Sequence, residues 1–241
     1  MTKKLIFNLL FFFGLFLCLG LKAFANPLIF IDAAHGGTDN GSLAGKEQEK
    51  VWDLKFALAL KSAFSRAGFD VTLSRDGDAG LDPDKRAQLI NTSGAAAVLV
   101  IHADREMSGI IPGPFLVVEP PNHPDFAQGD EISRWGIVTL TQYRASLRLA
   151  RALAVQLGTN QEFSALSDSR GLLGESGTAA GRILCAPEQR LRNLTLPSVD
   201  LIPLFMTNAS DLKKYSDAAA IDSFCSKVVK GVDEYLRIPN E

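Results

Sequence analysis

LIFIDAAHGGTDNG, residues 28–41, is the stretch from which the rest of the chain can be read. Leu28–Ile31 is a short apolar run of β-branched and aromatic residues, the composition of a buried strand. The run stops at Asp32, and the chain then sets His35 beside Gly36 and Gly37. A histidine on a glycine-lined loop at the C-terminal end of a strand occupies the edge where α/β sheets carry their chemistry. A tight turn with a solvated histidine is the plainer reading, and the choice depends on whether His35 has partners.

Working outward, Val51–Ala67 reads as a helix. One apolar face carries Leu54 and Leu58, another Trp52, Phe56, Leu60 and Phe64, and Gly68 closes the end. Asp70–Ser74 is a second strand and Asp84–Asn91 a short helix bearing Arg86. Ala95–Ile101 is a second fully apolar strand, ending in His102-Ala103-Asp104. This alternation predicts an α/β fold in a single domain, with a mostly parallel twisted sheet and helices on both faces. His35 and His102 then fall on one edge of that sheet. Further on, Pro114–Glu119 reads as a strand, Pro120–Gly136 as an exposed insertion and Leu140–Leu157 as a helix. Ser164–Ala180 reads as a mobile loop, Pro197–Met206 as a strand limited by Pro203, and Ala218–Leu236 as a closing helix.

Lys3 and Lys4, the apolar run Leu5–Leu21 and Ala23-Phe24-Ala25 compose a signal peptide cleaved after Ala25. An uncleaved anchor is the competing reading, since the run approaches spanning length. The expected division is residues 1–25 as signal and 26–241 as one mature domain, exported to the periplasm or cell envelope. Cleavage removes three of the 25 basic residues and none of the 27 acidic ones, leaving a net charge of −5. A mildly acidic chain without a basic stripe is a poor nucleic-acid binder, and no stable membrane span is expected after cleavage. The two cysteines that remain, Cys185 and Cys225, fit either one disulfide or two buried thiols.

The chain has three histidines, and two of them end predicted core strands. Glu49, at the start of the first helix, belongs to the same rim. Two imidazoles and one carboxylate compose a catalytic zinc site with a fourth position open to water. Ordinary hydrogen bonding by two loop histidines is the alternative. His123, between Asn122 and Pro124, reads as solvated.

HGGTDNG at 35–41, EKVWDL at 49–54, SRDGD at 74–78, KRAQLIN at 85–91 and IHAD at 101–104 occur in order. Together they resemble the zinc-dependent N-acetylmuramoyl-L-alanine amidases of bacterial cell-wall turnover. The resemblance covers most of Leu28–Asp104 and resumes near Leu191. It implies Zn2+ as cofactor and His35, Glu49 and His102 as its ligands. It implies hydrolysis of the amide between N-acetylmuramoyl and L-alanine in peptidoglycan, for cell-wall turnover or daughter-cell separation. The partners it implies are muramic acid, the stem peptide and an activator protein. Some relatives cover the zinc with a helix that such a partner removes, and Pro120–Gly136 or Gly158–Ala186 is the place for one; a solvated insertion is the alternative.

Two positions depart from the family. Ala34 stands where the family usually has glycine. In LRNLTLPSVDLIPLFMTN, 191–208, Pro197, Phe205 and Asn208 match, but Ile202 takes the place of the glutamate that acts on the water. Isoleucine cannot accept a proton. Asp200 points to the same face two residues earlier, displaced by roughly 6–7 Å, and is a weak candidate for the base. Glu188 is weaker still, and Asp104 is compatible with the family pattern. The catalytic base is therefore unassigned. The second expectation is a zinc-binding homologue without turnover, a peptidoglycan-binding or regulatory protein. A zinc peptidase acting on another amide fits the metal site but not the motifs.

Overall fold

The structure, a computed structural model, describes residues 26–105, 112–119, 132–158, 163–165, 183–185, 191 and 193–238. Its strands are β1 Leu28–Ala33, β2 Leu43–Ala44, β3 Glu47–Gln48, β4 Asp70–Leu73, β5 Ala97–Ile101, β6 Phe115–Val118, β7 Phe163–Ala165, β8 Ile183–Cys185 and β9 Ser198–Ile202. Its helices are α1 Glu49–Arg66, α2 Pro83–Thr92, α3 Ile132–Leu157, α4 Ala209–Tyr215 and α5 Ala218–Arg237. Seven strands form one sheet in the order β4-β1-β5-β9-β6-β8-β7, and β2 and β3 form a small hairpin. Every pairing in the large sheet is parallel except β6 with β9. The mostly parallel α/β architecture read from the sequence is thus the one observed.

Side-chain alternation divides the core. Ile29, Ile31, Leu99, Ile101, Val199 and Leu201 pack under α1, α3 and α5, against Phe56, Leu60, Phe64, Leu149, Leu153 and Val228. Phe30, Val98 and Val100 face the other way, onto Ile90 of α2 and onto Leu191 and Leu194. Burial on both faces explains why β1 and β5 read as continuous apolar runs.

Several boundaries differ from expectation. Helix α1 begins at Glu49 rather than Val51, and its buried stripe is Trp52, Asp53, Phe56, Leu60 and Phe64. Leu58 is exposed and Leu54 is half-buried against the edge of the core, so the second apolar face meets the core only at Leu54. Helix α3 starts at Ile132, inside the stretch read as an insertion. β9 stops at Ile202, immediately before Pro203, which has no N–H to give a ladder. Helix α4, the hairpin, β7 and β8 gave no periodicity long enough to read. Cys225 is a free, buried thiol, its pKa pushed up to about 12 by burial and by the Asp222 charge. The signal segment, His123 and Glu188 lie outside the described residues, as does most of the two stretches named for a lid. Among the described residues, no helix is long and apolar enough to cross a membrane.

Candidate metal centre

The parallel ladder aligns Ala33 with Ile101 and Ile101 with Leu201. The strands β1, β5 and β9 therefore end together. His35 follows β1 by two residues and His102 follows β5 directly. Glu49 opens α1, whose first amides are taken up by the preceding loop. Glu49 N–H donates to Ser42 O at 3.1 Å and Lys50 N–H to Asn40 O at 3.3 Å. These bonds satisfy helix-terminal donors that no side chain caps. In return Glu49 Oε2 accepts from Ser42 N–H at 2.6 Å.

The other carboxylate oxygen is shared. His102 Nδ1 donates to Glu49 Oε1 at 2.7 Å, and His35 Nε2 stands 3.4 Å from the same atom. The two imidazoles meet edge to face, with centroids 5.2 Å apart. His35 Nδ1 is occupied by Asp39 Oδ2 at 2.8 Å, which leaves Nε2 as the atom aimed at the cluster. That Nε2 is buried and, among the described residues, makes no hydrogen bond. Asp53, one turn beyond Glu49 on α1, completes a group of four in which one donor atom from each lies within 4.8 Å of all the others. Asp53 Oδ1 also accepts Ala103 N–H at 2.7 Å, which fixes the backbone just after His102.

Electrostatics follow from this packing. Burial opposes ionisation of Glu49, but the hydrogen bond from His102 and the nearness of His35 outweigh it and hold the carboxyl far below the usual carboxylate range. A helix N-terminus favours the same charge. Burial lowers the His35 pKa, yet Glu49 and Asp39 prevail and the net shift is upward.

The loop between β1 and α1 is shaped for this convergence. His35 has φ +57°, a left-handed conformation uncommon outside glycine. Arg86 donates to His35 O at 3.2 Å and to Ala33 O at 3.0 Å while paired with the buried Asp32. At Gly36 a Cβ would fall 2.2 Å from Ala79 O, so the loop lies directly on residues 79–80. At Gly41, with φ +64°, a Cβ would fall 2.6 Å from His35 Cδ2 and 2.7 Å from Glu49 Oε2. Lys50 Nζ donates to Gly37 O at 2.7 Å and to Asp78 Oδ2 at 3.0 Å, fastening the loop to α1.

Two imidazoles and a carboxylate with converging, buried donor atoms are a donor set suited to a divalent transition metal. His35, Glu49 and His102 are thus brought together. Asp200 lies elsewhere: it is fully buried, aligned with Val100, one side-chain step behind His102 on the same face. The β9 side chain level with His102 is Ile202, buried at the strand's end, and His102 N–H donates to Leu201 O at 3.2 Å. The sequence reading did not single out Asp53, Asp39 or Arg75. All three sit inside motifs quoted for other residues, and only their burial and contacts mark them.

A family model described as N-acetylmuramoyl-L-alanine amidase matches residues 29–234. The sporulation-specific N-acetylmuramoyl-L-alanine amidase of Bacillus subtilis (strain 168) is 37% identical over 78 residues, 32% of this chain and 31% of that protein. The N-acetylmuramoyl-L-alanine amidase AmiA of Salmonella typhimurium (strain LT2) is 31% identical over 84 residues, 34% of this chain and 29% of that protein. The matched stretch thus spans under a third of either relative. The N-acetylmuramoyl-L-alanine amidase structure from Clostridium difficile 630 superposes with a TM-score of 0.64 at 23% identity, covering 88% of this chain and 97% of that one. The CwlD amidase of Clostridioides difficile, solved in complex with the GerS lipoprotein, gives 0.64 at 18% identity, covering 89% of this chain and all of that one. These structural likenesses concern the fold, and the match along 29–234 concerns descent: the chain belongs to the N-acetylmuramoyl-L-alanine amidase family.

Proposed function

We propose that this protein is a zinc-dependent hydrolase of the amide between N-acetylmuramoyl and L-alanine in peptidoglycan, with His35, Glu49 and His102 as the zinc ligands. The observation that carries the reading is the convergence of His35 Nε2, His102 Nδ1 and Glu49 Oε1 at one sheet edge in a chain of this family. Zinc held there supplies Lewis-acid polarisation of a carbonyl and a lowered pKa for water. The chain's own part is positional. Asp39 fixes the His35 tautomer, so that Nε2 carries the lone pair toward the cluster. Ser42 N–H holds Glu49, and Asp53 anchors the backbone beyond His102. Residues 1–25 are proposed as an export signal and 26–241 as the catalytic domain, acting in the cell envelope. A partner protein belongs to the proposal, since one structural relative was solved with a lipoprotein bound.

A second reading rests on Ile202. The side chain beside His102 is apolar and buried, and cannot take up a proton. This favours a zinc-binding homologue that binds or regulates without turnover. Zinc content and digestion of purified sacculi separate the two. The hydrolase reading expects about one zinc per chain and release of free stem peptides that stops on chelation. Stoichiometric zinc with no peptide release would leave only the second reading.

A further inference from the structure

Arg75 is buried to 6% exposure, yet among the described residues it makes no hydrogen bond to a carboxylate. Its guanidinium donates instead to four backbone carbonyls. Nε reaches Ala33 O at 3.0 Å, Nη2 reaches Ala34 O at 2.7 Å and Lys50 O at 2.8 Å, and Nη1 reaches Gly77 O at 3.0 Å. Ala33 and Ala34 lead directly into His35, and Lys50 directly follows Glu49. One planar fork therefore joins the two segments that carry these ligands. No backbone–backbone hydrogen bond joins Ala33 or Ala34 to the start of α1 among the described residues; Arg86 braces only the β1 side. The left-handed backbone of His35 stands at the joint. A lysine, with one ammonium on a flexible stem, lacks the fixed fork needed to span three acceptors on two segments.

We propose that Arg75 is a positioning residue that holds the His35 loop and the first turn of α1 in the register that metal binding needs, before the metal arrives. This inference rests on the zinc reading above. A residue that serves only packing would change stability alone, whereas this one sets ligand geometry. The test compares Arg75→Lys with Leu153→Ala, a core truncation in α3 away from the site. Each protein is stripped with a chelator. Zinc affinity is then measured by competition, and the visible spectrum is recorded after cobalt loading.

Arg75→Lys is expected to weaken zinc binding about 10–100-fold and to alter the cobalt spectrum. Leu153→Ala is expected to lower the melting temperature and leave both readouts unchanged. A folded Arg75→Lys protein with unmodified zinc affinity and cobalt spectrum would overturn the proposal while leaving the zinc reading intact. Failure of the unmodified protein to bind zinc would overturn both. Should Arg75→Lys not fold, hydrogen exchange at Arg75 Nε–H in the unmodified, zinc-free protein decides. Protection without zinc supports the positioning role, and exchange at the rate of an exposed arginine refutes it.

Discussion

At Gly41, the absence of a side chain is what allows His35 and Glu49 to approach each other. Gly41→Ala places a methyl group against both and asks alanine for a positive φ. The expected outcome is a folded protein whose zinc content falls to near zero, checked by metal analysis alongside circular dichroism. Ile202 poses the complementary question, since it sits beside His102 without touching the ligand set's chemistry. If the missing carboxylate is what limits turnover, Ile202→Glu should raise stem-peptide release from sacculi by about 10²–10⁴-fold with zinc content unchanged. A zinc-loaded Ile202→Glu protein no more active than its parent would show that this position does not govern catalysis. Asp200 cannot be exchanged for Ile202 by sliding the strand. Its register with Val100 is fixed by the same ladder that aligns His102.

Among the elements, α1 carries both chemistry and packing on one stripe. Glu49 and Asp53 occupy its first turns toward the rim, and Phe56, Leu60 and Phe64 continue the stripe into the core. A helix so anchored cannot rotate to release Glu49 without unpacking its aromatics. Helix α4 shows a different economy. It is short, and Asn208 caps it by accepting from Ser210 N–H and Asp211 N–H. Asp211 in turn accepts from Phe205 N–H at 3.0 Å and Gly113 N–H at 2.9 Å, tying the exit of β9 to the entry of β6. Asn208→Ala should lower unfolding free energy by about 1 kcal/mol and leave zinc affinity unchanged, as read by urea denaturation and competition titration. A large loss of zinc binding would show that this cap reaches the rim.

On the scale of the molecule, the zinc-free protein holds a cluster whose two titrations oppose each other. The folded pKa of Glu49 is depressed, so its contribution to stability is present above the ordinary carboxylate value and lost as pH falls. The folded pKa of His35 is raised, so its contribution is full below the ordinary imidazole value and lost as pH rises through the folded one. The zinc-free cluster is therefore most stabilising between about pH 4.3 and about pH 6.5. Zinc needs the neutral imidazole, so its stabilisation grows in the other direction. Melting temperatures with and without a chelator should diverge as pH rises from about 5.5 to about 7.5. A gap that narrows over that range would contradict histidine ligation.

The sequence by itself determined the parallel sheet, because burial on both faces leaves an unbroken apolar run in β1 and β5 and a helical period between them. It also brought out His35, Glu49 and His102, because chemistry-bearing residues at strand ends stand out against such runs and recur in a family pattern. What it did not determine was geometry that depends on long-range contact. It did not decide how deeply each of the two apolar stripes on α1 is buried, since both have helical spacing. Nor did it decide where α3 begins, or that β6 runs against β9. The roles of Arg75, Arg86 and Asp53 were hidden as well, because a buried charge looks like an exposed one until its partners are in place. The family pattern had already put Ile202, not Asp200, at the glutamate position; the tertiary structure added the ladder register, Ile101 with Leu201, that brings residue 202 level with His102. Side-chain identity is local, whereas alignment across a parallel sheet is set only when separate segments are packed together.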